Sequence, residues 1–156
     1  MAKTEYKYCD ANVFLAYFKQ EEGRVETVAQ FFGEIRQWKN VKIVTSVISI
    51  AEVAHTAARH QGAASSGDSV KELDDLWEDT SLVELSEFYD SLARRARRHV
   101  REYSRLKPAD AIHLATAQLV GVSEFFTYDG LLLRLSDKFE FEISEPYQAG
   151  LLGLAR

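Results

Sequence analysis

KPADAIHLATAQLVGVSEFFTYDG, residues 107–130, contains a complete helix-to-strand unit. Pro108 suits a first helical position, because its fixed φ is already helical and its missing N–H has no partner to lose there. An alanine- and leucine-rich stretch follows, and residues 124–128 then read as a short apolar strand. Two aspartates frame the unit: Asp110 falls in the first helical turn, and Asp129 closes the strand. Either they are a helix-start residue and a turn residue, or they are two parts of one acidic site.

The same alternation recurs on both sides of this unit. Residues 6–9 read as a first strand, followed by a helix over 11–20. A second helix spans about 24–38, with Val25, Val28, Phe31, Phe32 and Ile35 on one face. Residues 42–45 form strand two, and 46–60 a helix whose apolar stripe is Val47, Ile50, Ala51, Ala54 and Ala58. The small, polar run QGAASSGD (61–68) reads as a flexible loop. A short acidic helix over 69–79, a third strand within 81–86 and a long helix over about 87–106 come next. Beyond Gly130 there is a short helix, then a fifth strand at 139–143 with alternating faces. Helices between successive strands predict an α/β fold, a three-layer α/β/α sandwich around a mainly parallel four- to five-stranded sheet. In such sheets binding groups gather beyond the carboxyl ends of the strands, near a reversal of strand order.

Composition narrows the class. The 156 residues fit one domain over 1–148 with a short tail at 149–156, and the 46% hydrophobic and 28% charged content is that of an ordinary globular protein. A single cysteine, Cys9, forbids an internal disulfide and suits a reducing cytoplasm. Cys9 itself reads as a small buried strand residue. Neither the start, MAKTEYKYCD, nor any later run has the apolar length of a signal or a membrane span, so a cytoplasmic protein is expected.

The net charge of −5 argues against a generally basic nucleic-acid binder. Residues 94–107, RRARRHVREYSRLK, nevertheless carry seven Lys/Arg against one Glu. Arg94, Arg98, Arg101 and Arg105 fall on one helical stripe, with Leu92, Ala96, Val100 and Tyr103 opposite. The stripe is either a solvated outer face or a phosphate track towards an acidic centre.

Four carboxylates each have an ordinary explanation. Asp10 would cap the helix starting at Ala11. Glu52 would complete a capping box from Ser49, if that helix begins there and not at Ser46. Asp110 complements the helix dipole. Asp129-Gly130 is a hairpin-turn signal, although Leu131, Leu132, Leu135 and Phe139 also space as a helix face. Together they share what caps and turns do not require: Asp10 and Asp129 end strands, while Glu52 and Asp110 lie near helix starts on the same side of a parallel sheet. Convergent carboxylates repel, and a hard divalent cation relieves the repulsion. Oxygen-only ligands point to Mg²⁺ or Mn²⁺ over Zn²⁺.

YCDANVFLAYF (8–18), TSVISIAEV (45–53), KPADAIHLATA (107–117) and FFTYDGLLLRLS (125–136), in this order, resemble PIN-domain nucleases, and among them the VapC-type ribonuclease toxins of toxin–antitoxin pairs. The resemblance covers almost the whole chain. It implies metal-dependent hydrolysis of RNA, with Asp10, Glu52, Asp110 and Asp129 as the acidic residues and Asn12 and Thr127 as polar support. Asp10 and Asp110 would be direct ligands, Asp129 a ligand or a partner of metal-bound water, and Glu52 the holder of a second metal or of the water. It further implies an inhibitory antitoxin partner and a homodimer; the apolar tail, Leu151–Leu154, would either contribute to such an interface or pack against the domain's own core. The alternative is a non-catalytic PIN-like module that binds RNA or protein. A haloacid-dehalogenase-type phosphatase would want a second aspartate where this chain has Asn12. His113, one turn beyond Asp110, is placed to reach the site, but a helix-face histidine filling a partly buried position is the commoner case.

Overall fold

The computed structural model describes residues 3–60 and 67–147. Five strands, β1 (Glu5–Cys9), β2 (Val41–Ser46), β3 (Val83–Ser86), β4 (Glu124–Phe126) and β5 (Glu142–Ser144), form one sheet in the order β3-β2-β1-β4-β5. Every pairing is parallel, and Tyr8 of β1 lies between Val44 of β2 and Phe125 of β4. The chain therefore winds outward from β1 to β3, crosses over, and resumes on the far side of β1 with β4. The reversal of order falls between β1 and β4, where a crevice opens at the strands' carboxyl ends.

Alternation along β1 divides the core. Cys9 packs with α1 (Ala11–Phe18), α2 (Val25–Gln37) and α4 (Gly67–Glu78), through Phe14, Phe31, Phe32 and Trp77. Tyr8 points the other way, among Leu92 and Ala96 of α5 (Asp90–Glu102) and Leu114 of α6 (Pro108–Val120), and stacks on Phe125 with ring centres 4.8 Å apart. Both faces of the central strands are covered, as an all-parallel sheet requires. Among the described residues no helix is long and apolar enough to cross a membrane.

Alanine-rich α6 begins at Pro108 and ends at Gly121, whose φ of 75° is the left-handed conformation that terminates a helix. Ala93, Ala96, Arg97 and Val100 share a groove with Pro108 and Ile112, and His99 lies 2.7 Å from Gln118, so α5 packs against α6. Residues 103–107 connect the two helices through a turn in which the Leu106 N–H donates to the Tyr103 carbonyl.

Several expectations are corrected. The third helix, α3 (Ile48–His60), buries Ser49 and Val53 against the sheet and α1; Ile50, Ala51, Ala54 and Ala58 are exposed and Val47 is half-buried. Its inward face is narrow and partly polar, so the apolar stripe was the wrong guide. No capping box forms, because Ser49 Oγ is 2.7 Å from Thr45 Oγ1 and Glu52 is engaged elsewhere. The long helix stops at Glu102, because the chain must turn back and bury Leu106. Its opposite face uses buried His99, with Val100 exposed. Strand five is displaced to Glu142–Ser144, since Leu135–Phe139 first makes a 3₁₀ turn that buries Phe141 behind it. Asp129-Gly130 makes no hairpin: it opens the short helix α7 (Gly130–Leu133), and β5 runs parallel to β4. Most of the loop over 61–68 and the tail, including Leu151 and Leu154, lie outside the described residues.

Candidate functional site

Asp10 stands at the carboxyl end of β1, two per cent exposed. It occupies the cap position of α1, yet its side chain makes no capping bond. Instead Oδ2 accepts from Thr127 Oγ1 at 2.5 Å, while Oδ1 is buried with no partner. Burial pushes its pKa up to about 7, with Asp110 adding to the rise and His113 and the Thr127 bond opposing it. The carboxylate is desolvated without full compensation.

The support for this group comes from across the crevice. Asn12 Oδ1 accepts from the Tyr128 N–H at 2.9 Å, and Thr127 Oγ1 accepts from the Asp129 N–H at 2.9 Å while donating to Asp10. The segment after β4 is thereby tied to the start of α1. Asn12 and Thr127 lie 3.4 Å apart, a weak contact.

Asp110 sits half-buried in the first turn of α6. Its pKa is raised by burial first, then by Asp129, with Glu52 contributing and His113 and Lys107 opposing. A carboxylate that senses two others has them as neighbours. Glu52 projects from α3, and its Oε2 is 2.7 Å from His113 Nε2. Asp10, Asn12, Glu52, Asp110 and His113 line one cleft of about 110 Å³, with Ala11, Leu15 and Thr56 completing its wall.

Asp129 borders this cleft without lining it. Its Oδ1 accepts from the N–H groups of Leu131 (2.7 Å) and Leu132 (3.3 Å), so it caps α7 and also raises Asp110. Among the described residues, no three Asp, Glu, His or Cys side chains are gathered closely enough to hold one ion as they stand. Three of the four expected carboxylates thus share a cleft, and the fourth acts on it at its rim.

His113, which the sequence favoured as a space-filling helix residue, also lines the cleft. It is one per cent exposed, its Nδ1 lies 2.7 Å from Tyr8 Oη, and it joins β1 to Glu52. The signal was its spacing of three from Asp110, which sets both on one helical face.

The arginine stripe is only partly realised. Arg94, Arg98 and Arg101 are exposed on α5, whereas Arg105 lies in the return segment beyond the helix, off the stripe. Arg94 pairs with Asp90 at 2.7 Å, an exposed i,i+4 contact of little energetic weight.

The PIN domain family model matches residues 7–138. Solved structures share the fold. The Mycobacterium tuberculosis toxin VapC20, which cleaves the sarcin-ricin loop, superposes with a TM-score of 0.64 at 17% identity, over 86% of this chain and 98% of that one. A Rickettsia felis structure of VapBC2 bound to a promoter DNA fragment gives 0.65 at 10% identity, over 90% and 98%. A toxin–antitoxin complex from Klebsiella pneumoniae gives 0.59 at 23% identity, over 91% and 98%. A search of curated proteins returns no match. With a family model spanning most of its length and four acidic residues at one end of a parallel sheet, the chain belongs to the PIN domain family.

Proposed function

We propose that the protein is a Mg²⁺- or Mn²⁺-dependent endoribonuclease that hydrolyses RNA phosphodiester bonds, acting as the toxin of a type II toxin–antitoxin pair. The observation that carries this reading is Asp10. Its buried carboxylate, with one oxygen unpartnered, lines a polar cleft with Asp110 and Glu52. Such a group is costly to keep charged unless a cation answers it. Family membership supports nuclease chemistry, and the toxin–antitoxin neighbours support the biological role.

The donor set fits a hard ion. The free donors are carboxylate oxygens, and both nitrogens of His113 are already occupied, which favours Mg²⁺ or Mn²⁺ over zinc. Asp10 and Asp110 would hold the ion, with Glu52 and Asp129 as further ligands or holders of its water; bringing three of them together requires side-chain rotation. When bound, the cation would acidify the attacking water and neutralise the leaving oxygen. The chain's own part is positional. Thr127 fixes one oxygen of Asp10, Asn12 fixes the backbone that bears Thr127, and the buried setting strengthens every charge interaction inside.

RNA is the proposed substrate, and an antitoxin and a second copy of the chain are the proposed protein partners, in the cytoplasm. Exposed Ile50, Phe88, Tyr89 and Val100 offer apolar surface to such partners. A single nuclease domain over 1–148 belongs to the same proposal. The direct test incubates the purified chain with structured and unstructured RNAs in Mg²⁺, Mn²⁺ or EDTA. Cleavage that needs the ion is expected. Intact RNA, with a melting temperature unmoved by Mn²⁺, would mark a binding module instead.

The arginine stripe of α5 supplies a second check. Arg94→Glu with Arg98→Glu should weaken RNA binding and lower the slope of log affinity against log salt by roughly 1.4, at about 0.7 per phosphate contact on a single strand. An unchanged slope would leave the stripe as a solvated face.

A further inference from the structure

The cleft contains a buried relay to which the nuclease reading gives no role. Ser46 N–H lies 3.1 Å from Tyr8 Oη, Tyr8 Oη 2.7 Å from His113 Nδ1, and His113 Nε2 2.7 Å from Glu52 Oε2. One assignment uses each hydrogen once. The amide donates to the phenol oxygen, the phenol O–H to Nδ1, and the Nε2–H to the carboxylate. Tyr8 is fully buried and stacked on Phe125, and its ring meets the imidazole edge-on at 5.8 Å. The imidazole cannot turn without breaking this set.

Glu52 has the opposite character. Its side chain is 31% exposed, it has three rotatable bonds, and it faces Asp110 and Asp10. Left alone, such a carboxylate swings towards water, driven by rotamer entropy and by repulsion from its neighbours. The hydrogen bond from His113 Nε2 opposes that motion.

We propose that His113, locked by Tyr8, is a positioning residue that holds Glu52 in the cleft, occupying Oε2 and leaving the other oxygen for the cation or its water. The inference rests on the nuclease reading, and it makes Glu52 a preset member of the site. A merely structural staple between α3 and α6 would use the same contact but would not act through the ion.

The experiment compares the full-length wild type with His113→Leu, His113→Gln, Tyr8→Phe and Glu52→Gln. Mn²⁺ affinity is measured by calorimetric titration and RNA cleavage by steady-state kinetics. His113→Leu should weaken Mn²⁺ binding by roughly ten- to a hundredfold and lower kcat, with KM for RNA unchanged. His113→Gln, which keeps an N–H near the Nε2 position, should recover most of both. In a Glu52→Gln background, His113→Leu should add nothing. Should His113→Leu not fold, Tyr8→Phe carries the test, with Mn²⁺ affinity reduced several-fold. Wild-type Mn²⁺ affinity in the folded His113 and Tyr8 variants, beside an active wild type, overturns the positioning role alone. So does an undiminished His113→Leu effect on Mn²⁺ affinity in the Glu52→Gln background. A wild type that neither binds Mn²⁺ nor cleaves RNA overturns the nuclease reading and this inference together.

Discussion

Asp10→Asn will give a folded protein that no longer cleaves RNA in Mg²⁺ or Mn²⁺. Asn has the same shape, and its amide oxygen can still accept from Thr127 Oγ1, so the tie between β1 and the segment after β4 survives. What disappears is negative charge at the innermost point of the cleft. On the metal-dependent reading, the loss should be on the order of a thousandfold in kcat, or ~4 kcal/mol of transition-state stabilisation. The controls are a circular dichroism spectrum and a melt in EDTA, both at least as native as those of the wild type. Full activity in this variant would remove Asp10 from the chemistry and with it the main support for the assignment.

The second expectation concerns pH. Folding raises the pKa of Asp10 from an ordinary carboxyl value to about 7, chiefly because the charged form is desolvated. The protonated acid is therefore the form that the fold prefers. The stability it contributes is complete below about pH 4 and is lost as pH climbs through about 7. Asp110 is shifted in the same direction and reinforces the loss. At 1.36 kcal/mol per pKa unit, Asp10 alone accounts for up to about 4 kcal/mol. That corresponds to roughly 10 °C in Tm for a domain of this size. In EDTA the melting temperature should fall between pH 5 and pH 8, and Asp10→Asn should remove most of the fall. Other carboxylates act oppositely, notably Asp79, whose pKa is lowered first by Ser81 and also by Arg36. The informative quantity is thus the difference between the two proteins at each pH. Saturating Mn²⁺ should flatten the wild-type slope, because the ion favours the ionised form that burial opposes. Parallel curves for wild type and variant would show that Asp10 is not held at the cost its surroundings imply.

The order of elements was legible because apolar runs, Pro108 and Gly121 mark boundaries through local chemistry alone. Parallel pairing followed from the helices between strands. What the sequence could not reveal depended on neighbours far along the chain. The exposed alanine face of α3 looked like a core stripe because alanine and isoleucine carry no record of what packs against them. Arg105 matched a helical spacing, but the need to bury Leu106 had already ended the helix. The two readings of Asp129, cap or site, prove compatible. One oxygen caps α7, and the charge still reaches Asp110. The four acidic positions were recoverable as strand-end and helix-start residues, whereas His113 depends on Tyr8 pointing away from Cys9 and on α3 presenting Glu52, neither of which is local.

The central place of β1 has a consequence for biosynthesis. The bond from Thr127 to Asp10 joins residues 117 positions apart, and β4 is the neighbour that completes β1's hydrogen bonding. During translation the first strand must wait until residues 124–127 have emerged, so the acidic cleft comes into being only after more than a hundred further residues have been added to it. Long-range closure of this kind is slow. A nascent chain truncated before residue 124 would hold β1 and β2 with an open flank and nothing to enclose Asp10.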